Sequence, residues 1–110
     1  MATTYTRSGV QGTSSVDSYT TLYNTTAGKS AVLSTIAIVN TASAAATYRI
    51  GFDTTEGTPN ATEWLAYGSN VPANDAVYLS LGVSIPQNTY IRVSSSANSV
   101  TFQAFVSEIT

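Results

Sequence analysis

Apolar residues along this chain recur at every second position, and nowhere do they settle into the rhythm of a helix. A β-strand points successive side chains to opposite faces, so the pattern predicts half-buried strands throughout. In Thr47–Asp53, Tyr48, Ile50 and Phe52 fall inward, Arg49 and Asp53 outward. In Ala76–Leu81, Val77, Leu79 and Leu81 fall inward and Tyr78 and Ser80 outward; in Tyr90–Ser94, Ile91 and Val93 inward and Arg92 outward. Ser99–Ser107 carries Val100, Phe102, Ala104 and Val106 on one face. Ala31–Asn40 has Val32, Ile36 and Ile38 on one face and Leu33 and Val39 on the other, as expected of a central strand covered on both sides. Tyr19–Tyr23 and Glu63–Tyr67 are shorter candidates, giving about seven strands.

Turn-forming clusters separate these segments: Thr26-Ala27-Gly28, Gly57-Thr58-Pro59-Asn60, Pro72-Ala73-Asn74-Asp75, Pro86-Gln87-Asn88 and Ala97-Asn98. Short strands at such spacing predict an all-β fold, a single antiparallel β-sandwich of jelly-roll type. The run Thr41–Ala46 (TASAAA) reads as a loop, too short to nucleate a helix. Residues 1–16 are rich in Thr, Ser and Gly with few apolar anchors, so the expectation is a flexible N-terminal arm preceding a sandwich domain over 17–110.

Charge narrows the function. Only 9% of the residues are charged, against about 25% in an average soluble domain, and 33 of the 110 are Ser or Thr. Such a surface repels its neighbours weakly and tolerates close packing in an assembly. The four basic residues, Arg7, Lys29, Arg49 and Arg92, are scattered, so no nucleic-acid partner is expected. No apolar run is long enough to span a bilayer, so no membrane partner is expected either. Cysteine and histidine are absent, which removes disulfides, thiolate metal sites, the commonest general base and the Ser-His-Asp and Cys-His arrangements.

Two stretches invite chemistry. Ala27-Gly28-Lys29-Ser30 ends like a phosphate-binding loop, but the frame requires glycine where Tyr23 stands, and a strand rather than a helix follows. The stretch therefore reads as the tip of a hairpin, with Gly28 at positive φ. The loop from Asp53 to Glu63 gathers oxygen ligands, but Thr55 and Gly57 occupy positions where an EF-hand needs acids or amides. A Ser–Lys dyad would have to use Lys29 on an exposed turn, and no pattern places Asp53, Glu56 or Glu63 in a cleft. The expectation is a non-enzymatic protein with no catalytic residue, no metal, no cofactor and no small-molecule substrate. Outward-facing Tyr67, Tyr78 and Tyr90, with Tyr5, Arg7 and Arg92, are the candidate protein-contact residues. Trp64 and Tyr67 are the alternative candidates for a sugar-binding face.

The segments TTLYNTTAGKSAVLSTIAIVN, TYRIGFD, EWLAYGSNVPANDAVYLSLGVSI, YIRVSSS and VTFQAFVSEI run in order from Thr20 to Ile109. Together they resemble small β-rich virion proteins of tailed bacteriophages, notably cyanophages, of the head decoration (cement) type. The chain departs from that pattern in two turns, at Thr26 and at Pro86-Gln87-Asn88. The resemblance implies a structural protein on the outer surface of the capsid. It would bind the major capsid protein as a homotrimer at three-fold positions and resist the pressure of packaged DNA. The rival expectation is a receptor- or carbohydrate-binding module of a tail fibre or spike.

Overall fold

The alternating segments form eight strands: β1 (Thr3–Gln11), β2 (Thr20–Asn24), β3 (Ser30–Asn40), β4 (Ala46–Asp53), β5 (Trp64–Val71), β6 (Asp75–Ile85), β7 (Tyr90–Ser95) and β8 (Val100–Ile109). The structure, a computed structural model, describes residues 3–59 and 62–110. One four-stranded sheet has the order β1-β8-β3-β6 and the other β2-β7-β4-β5, with every pair of neighbours antiparallel. The chain changes sheet at every connection except β4 to β5, which gives the eight-stranded jelly roll, a double-sheet fold in which each sheet hides the other's apolar face.

Three expectations about the fold need correction. The N-terminal segment expected to be an arm is β1, paired with β8 from Thr3–Ile109 to Gln11–Thr101 without interruption. Its inward side chains are mostly hydroxyls, and only Val10 packs against the core, so no apolar rhythm marks it. The Ala27-Gly28 turn has the expected positive φ, 80° at Gly28, but it joins β2 of one sheet to β3 of the other and is no hairpin.

β3 supplies the third correction. Its pairing with both neighbours slips between Leu33 and Thr35, where Ser34 is an extra residue against β8. The bulge turns Ala31 and Leu33 to the same side as Ile36 and Ile38, and all four are buried, whereas Val32, expected beside Ile36, faces out. Against β6 the slip is absorbed by Leu81 and Gly82, the latter at φ 125°, which carries β6 well beyond its expected end. The side chain of Leu81 lies outside the described set.

The remaining parities hold. Phe102, Ala104, Ile50, Ile91, Val93 and Val100 have no exposed surface, and Tyr48 meets Phe102 edge-on across the core, 6.3 Å between centroids at 72°. Val77 and Leu79 pack against this core from β6. Asn40 closes one end of it. Buried to 1% exposure, its side-chain amide donates to the carbonyls of Ala44 (2.8 Å), Pro72 (3.3 Å) and Val71 (3.4 Å). Its Oδ1 accepts from the Ala42 N–H (3.1 Å) and the Ser99 hydroxyl (3.0 Å). One side chain thus ties β3 to the 41–45 loop, the β5–β6 turn and the approach to β8. Asn40→Ala strands these groups, and urea unfolding should show a loss of about 2 kcal/mol.

Tyr23 joins the two sheets at one edge by donating its hydroxyl to the carboxylate of Glu108 on β8. Burial first, then this hydrogen bond and the carboxylate's charge, push the phenol well above its ordinary value of 10.0. The unfolded chain ionises Tyr23 above pH 10 while the folded chain keeps it neutral. The contribution to stability is therefore complete below pH 10 and declines as the pH climbs toward the folded value. Unfolding free energy measured against pH should fall less steeply above pH 10 in Tyr23→Phe than in the parent protein.

Candidate functional site

The two stretches that invited ligand chemistry are occupied with holding turns. At Gly28 the N–H donates to the Gln87 side chain (2.8 Å), and the Lys29 N–H to the Thr26 carbonyl (3.1 Å), so the amides that a phosphate would need are engaged. In the loop after β4, the Asp53 carboxylate accepts from the Thr54 N–H (2.9 Å), the Thr55 hydroxyl (2.9 Å) and the Gly57 N–H (3.2 Å). Asp53 is a buried staple for its own turn. Among the described residues no group of three or more His, Cys, Asp or Glu side chains converges; Asn60 and Ala61 of this loop lie outside the described residues.

The outer face of the β2-β7-β4-β5 sheet is roofed by the chain itself. Residues 12–19 cross it: the Val16 carbonyl accepts from the Ser94 hydroxyl (2.9 Å) and from Arg49 (3.3 Å), and Thr13 exchanges hydrogen bonds with Ser95. From the other side, Pro59 and Trp64 lie on Gly51, where even a methyl group would come within 2.6 Å of Pro59. Arg92, expected to make outside contacts, lies beneath this roof. Its guanidinium donates to the Thr21 hydroxyl (2.5 Å) and the carbonyls of Gly57 and Tyr19 (both 3.1 Å), with Glu56 3.9 Å away. The parity that turned Arg92 outward is right, but two loops fold over it and bury it.

At the margin of the roof three rings form a contiguous cluster. Tyr19 lies 6.1 Å from Trp64, and Trp64 meets Tyr67 edge-on at 4.8 Å. The Arg49 guanidinium sits 4.2 Å from the Tyr67 centroid and hydrogen-bonds the Tyr19 hydroxyl at 3.1 Å. Tyr67 remains 60% exposed, and Tyr90, at the start of β7, is half-buried.

The outer face of the other sheet has no such roof among the described residues. Strand register places Arg7, Phe105, Thr35 and Ser80 in one row and Gly9, Gln103, Ala37 and Tyr78 in the next. Tyr5 (83% exposed), Tyr78 (67%) and Phe105 (37%) stand on this face, three of the four large hydrophobic side chains exposed among the described residues. Arg7 is the only charge on these rows. The structure thus brings together Tyr5, Arg7 and Tyr78, sets Tyr67 on the opposite face, and withdraws Arg92. Phe105 was missed as a contact residue, although its outward place follows from the parity of Phe102 and Ala104; Arg49 over Tyr67 was missed because the pairing of β4 with β5 slips at this point, and strand parity does not give the register that sets the two opposite each other.

The chain matches no protein-family model, no curated protein and no solved structure. The geometry of its faces therefore carries the functional reading. The two arginines separate structural from surface roles: Arg92→Ala leaves the Gly57 and Tyr19 carbonyls and the Thr21 hydroxyl without a donor and should cost about 2–3 kcal/mol in urea unfolding, whereas Arg7→Ala should stay within about 0.5 kcal/mol of the parent.

Proposed function

We propose that this chain is a non-enzymatic structural protein that decorates and stabilises a phage capsid from its outer surface, docking through the bare face of the β1-β8-β3-β6 sheet onto the major capsid protein. The observation that carries this reading is that face: three exposed aromatic side chains set among mostly small, uncharged residues, with one charge. Four strands about 4.8 Å apart and roughly ten residues long span about 600 Å². A stable interface takes roughly 800 Å² from each partner, so one such face with its rim suffices. Small residues between the rings let a partner's backbone approach closely, and aromatic anchors among them are what protein interfaces use. The jelly roll is a fold of capsid proteins and of lectins alike, so it is compatible with either a particle or a sugar as partner, and the bare face favours the particle.

A second reading rests on a different observation. The Tyr19–Trp64–Tyr67 cluster offers a ring platform with a cation alongside, suited to stacking against a sugar ring in a receptor-binding module of a tail fibre or spike.

Co-sedimentation with expanded phage heads that lack the protein, alongside intact host cells, separates the two. Decoration requires saturable binding to heads in fixed ratio to the major capsid protein, lost in Tyr78→Asp and Phe105→Asp and kept in Tyr67→Ala. Binding to cells and not to heads, abolished by Tyr67→Ala, would reverse the assignment.

A further inference from the structure

Each sheet ends in two edge strands, and three of the four are interrupted. β2 has five residues and slips register after Thr21. β5 slips twice against β4 and contains Gly68 at φ 72°. β6 is broken at Gly82, opposite the Ser34 bulge. Bulges and short length are the usual means by which an edge avoids pairing with another chain. β1 has neither. Its nine residues run in unbroken register, with no proline, lysine or acid.

Two hydrogen bonds show which backbone groups of β1 are unused. The Val100 carbonyl accepts from Gly12 (2.6 Å) on the β1 side of β8, and the Ser99 carbonyl accepts from Thr41 (3.2 Å) on the β3 side. Bonded and non-bonded pairs alternate along an antiparallel ladder. The even-numbered residues of β1 therefore bond to β8, and the N–H and C=O groups of Tyr5, Arg7 and Gly9 point off the edge. Tyr5, with most of its ring in solvent, finds no partner ring or cation among the described contacts of its own chain.

We propose that β1 is a self-pairing edge: two copies of this chain join their β1 strands antiparallel across a two-fold axis and merge two four-stranded sheets into one of eight. The free groups allow only odd-numbered residues to exchange bonds with odd-numbered ones. An axis through Arg7 would set one guanidinium against the other, which like charges directly opposite disfavour. An axis through Ser8 sets Arg7 opposite Gly9, which offers it no side chain. An axis through Thr6 sets Tyr5 of each copy opposite Arg7 of the other, a cation–π pair on either side of the axis and on the bare face. The strands then overlap from Thr3 to Gly9. Such an interface is isologous, so it closes at two copies and does not generate a filament. It differs from the three-fold association that the resemblance implies, and it does not depend on what the bare face docks against.

Analytical ultracentrifugation of the purified chain over a wide concentration range tests it. The parent protein should show a monomer–dimer equilibrium, with the amides of Tyr5, Arg7 and Gly9 gaining protection from hydrogen exchange as the dimer fills. Gly9→Pro removes an off-edge donor without removing a bond to β8, and a Cβ there meets only ordinary contacts, so it should abolish the dimer while the fold survives. If that variant fails to fold, the substitutions at solvent-exposed Tyr5 remain decisive. Tyr5→Arg should weaken the dimer about tenfold or more, and Tyr5→Glu, placing a carboxylate opposite Arg7, should strengthen it. A monomer at every concentration, a trimer, or a dimer indifferent to all three substitutions overturns the proposal.

Discussion

A strand buried against another sheet must keep its apolar residues on one side, yet β3 changes the parity of those residues halfway along. The extra residue at Ser34 resolves the conflict: it rotates Ala31 and Leu33 onto the side of Ile36 and Ile38, so both halves of the strand feed one core. β3 lies between β8 and β6, and the adjustment propagates to both. β6 absorbs it at Leu81–Gly82 and runs on to bury Ile85. Without the bulge, one half of the central strand would present Leu33 to solvent and Val32 to the core. The other buried apolar residues join the same cluster, from Phe102 on β8 to Tyr48 reaching across from the facing sheet.

The sandwich that results has unlike sides. One sheet carries the buried guanidinium of Arg92 and the half-buried one of Arg49, and is closed over by residues 12–19 and the loop after β4, whose carbonyls and hydroxyls meet both. A guanidinium offers five donors and rarely leaves water unless most are satisfied, so these loops are held in place by the arginines and in turn shield them. Among the described residues the other sheet has no loop drawn over it, and its strands carry no cation beyond Arg7. The result is a molecule with one face roofed by its own chain and, among the described residues, one face left bare.

Hydroxyl groups do more here than keep a surface wet. Thr13, Thr25, Ser94, Ser95 and Ser99 all bond side chain to backbone or to Asn40 at the places where the chain passes from one sheet to the other. A jelly roll makes many such crossings, each of which leaves backbone groups without a ladder partner. Short side chains that both donate and accept can satisfy those groups without demanding volume. That accounts for part of the abundance of Ser and Thr that composition alone had assigned to the surface.

What the sequence determined by itself was the class of the fold and the inward residues of β4, β7 and β8, because strand parity is a local property with a period of two. Ile50, Ile91, Val93 and Phe102 could be placed from their neighbours alone, as could the outward Tyr78. Strand β1 could not, because Thr4, Thr6 and Ser8 carry no apolar signal and become a strand only when β8, at the other end of the chain, pairs with them. The bulge at Ser34 and the burial of Arg92 were hidden for the same reason. Which face of a strand is covered depends on segments remote in sequence, and only the tertiary structure brings those segments together.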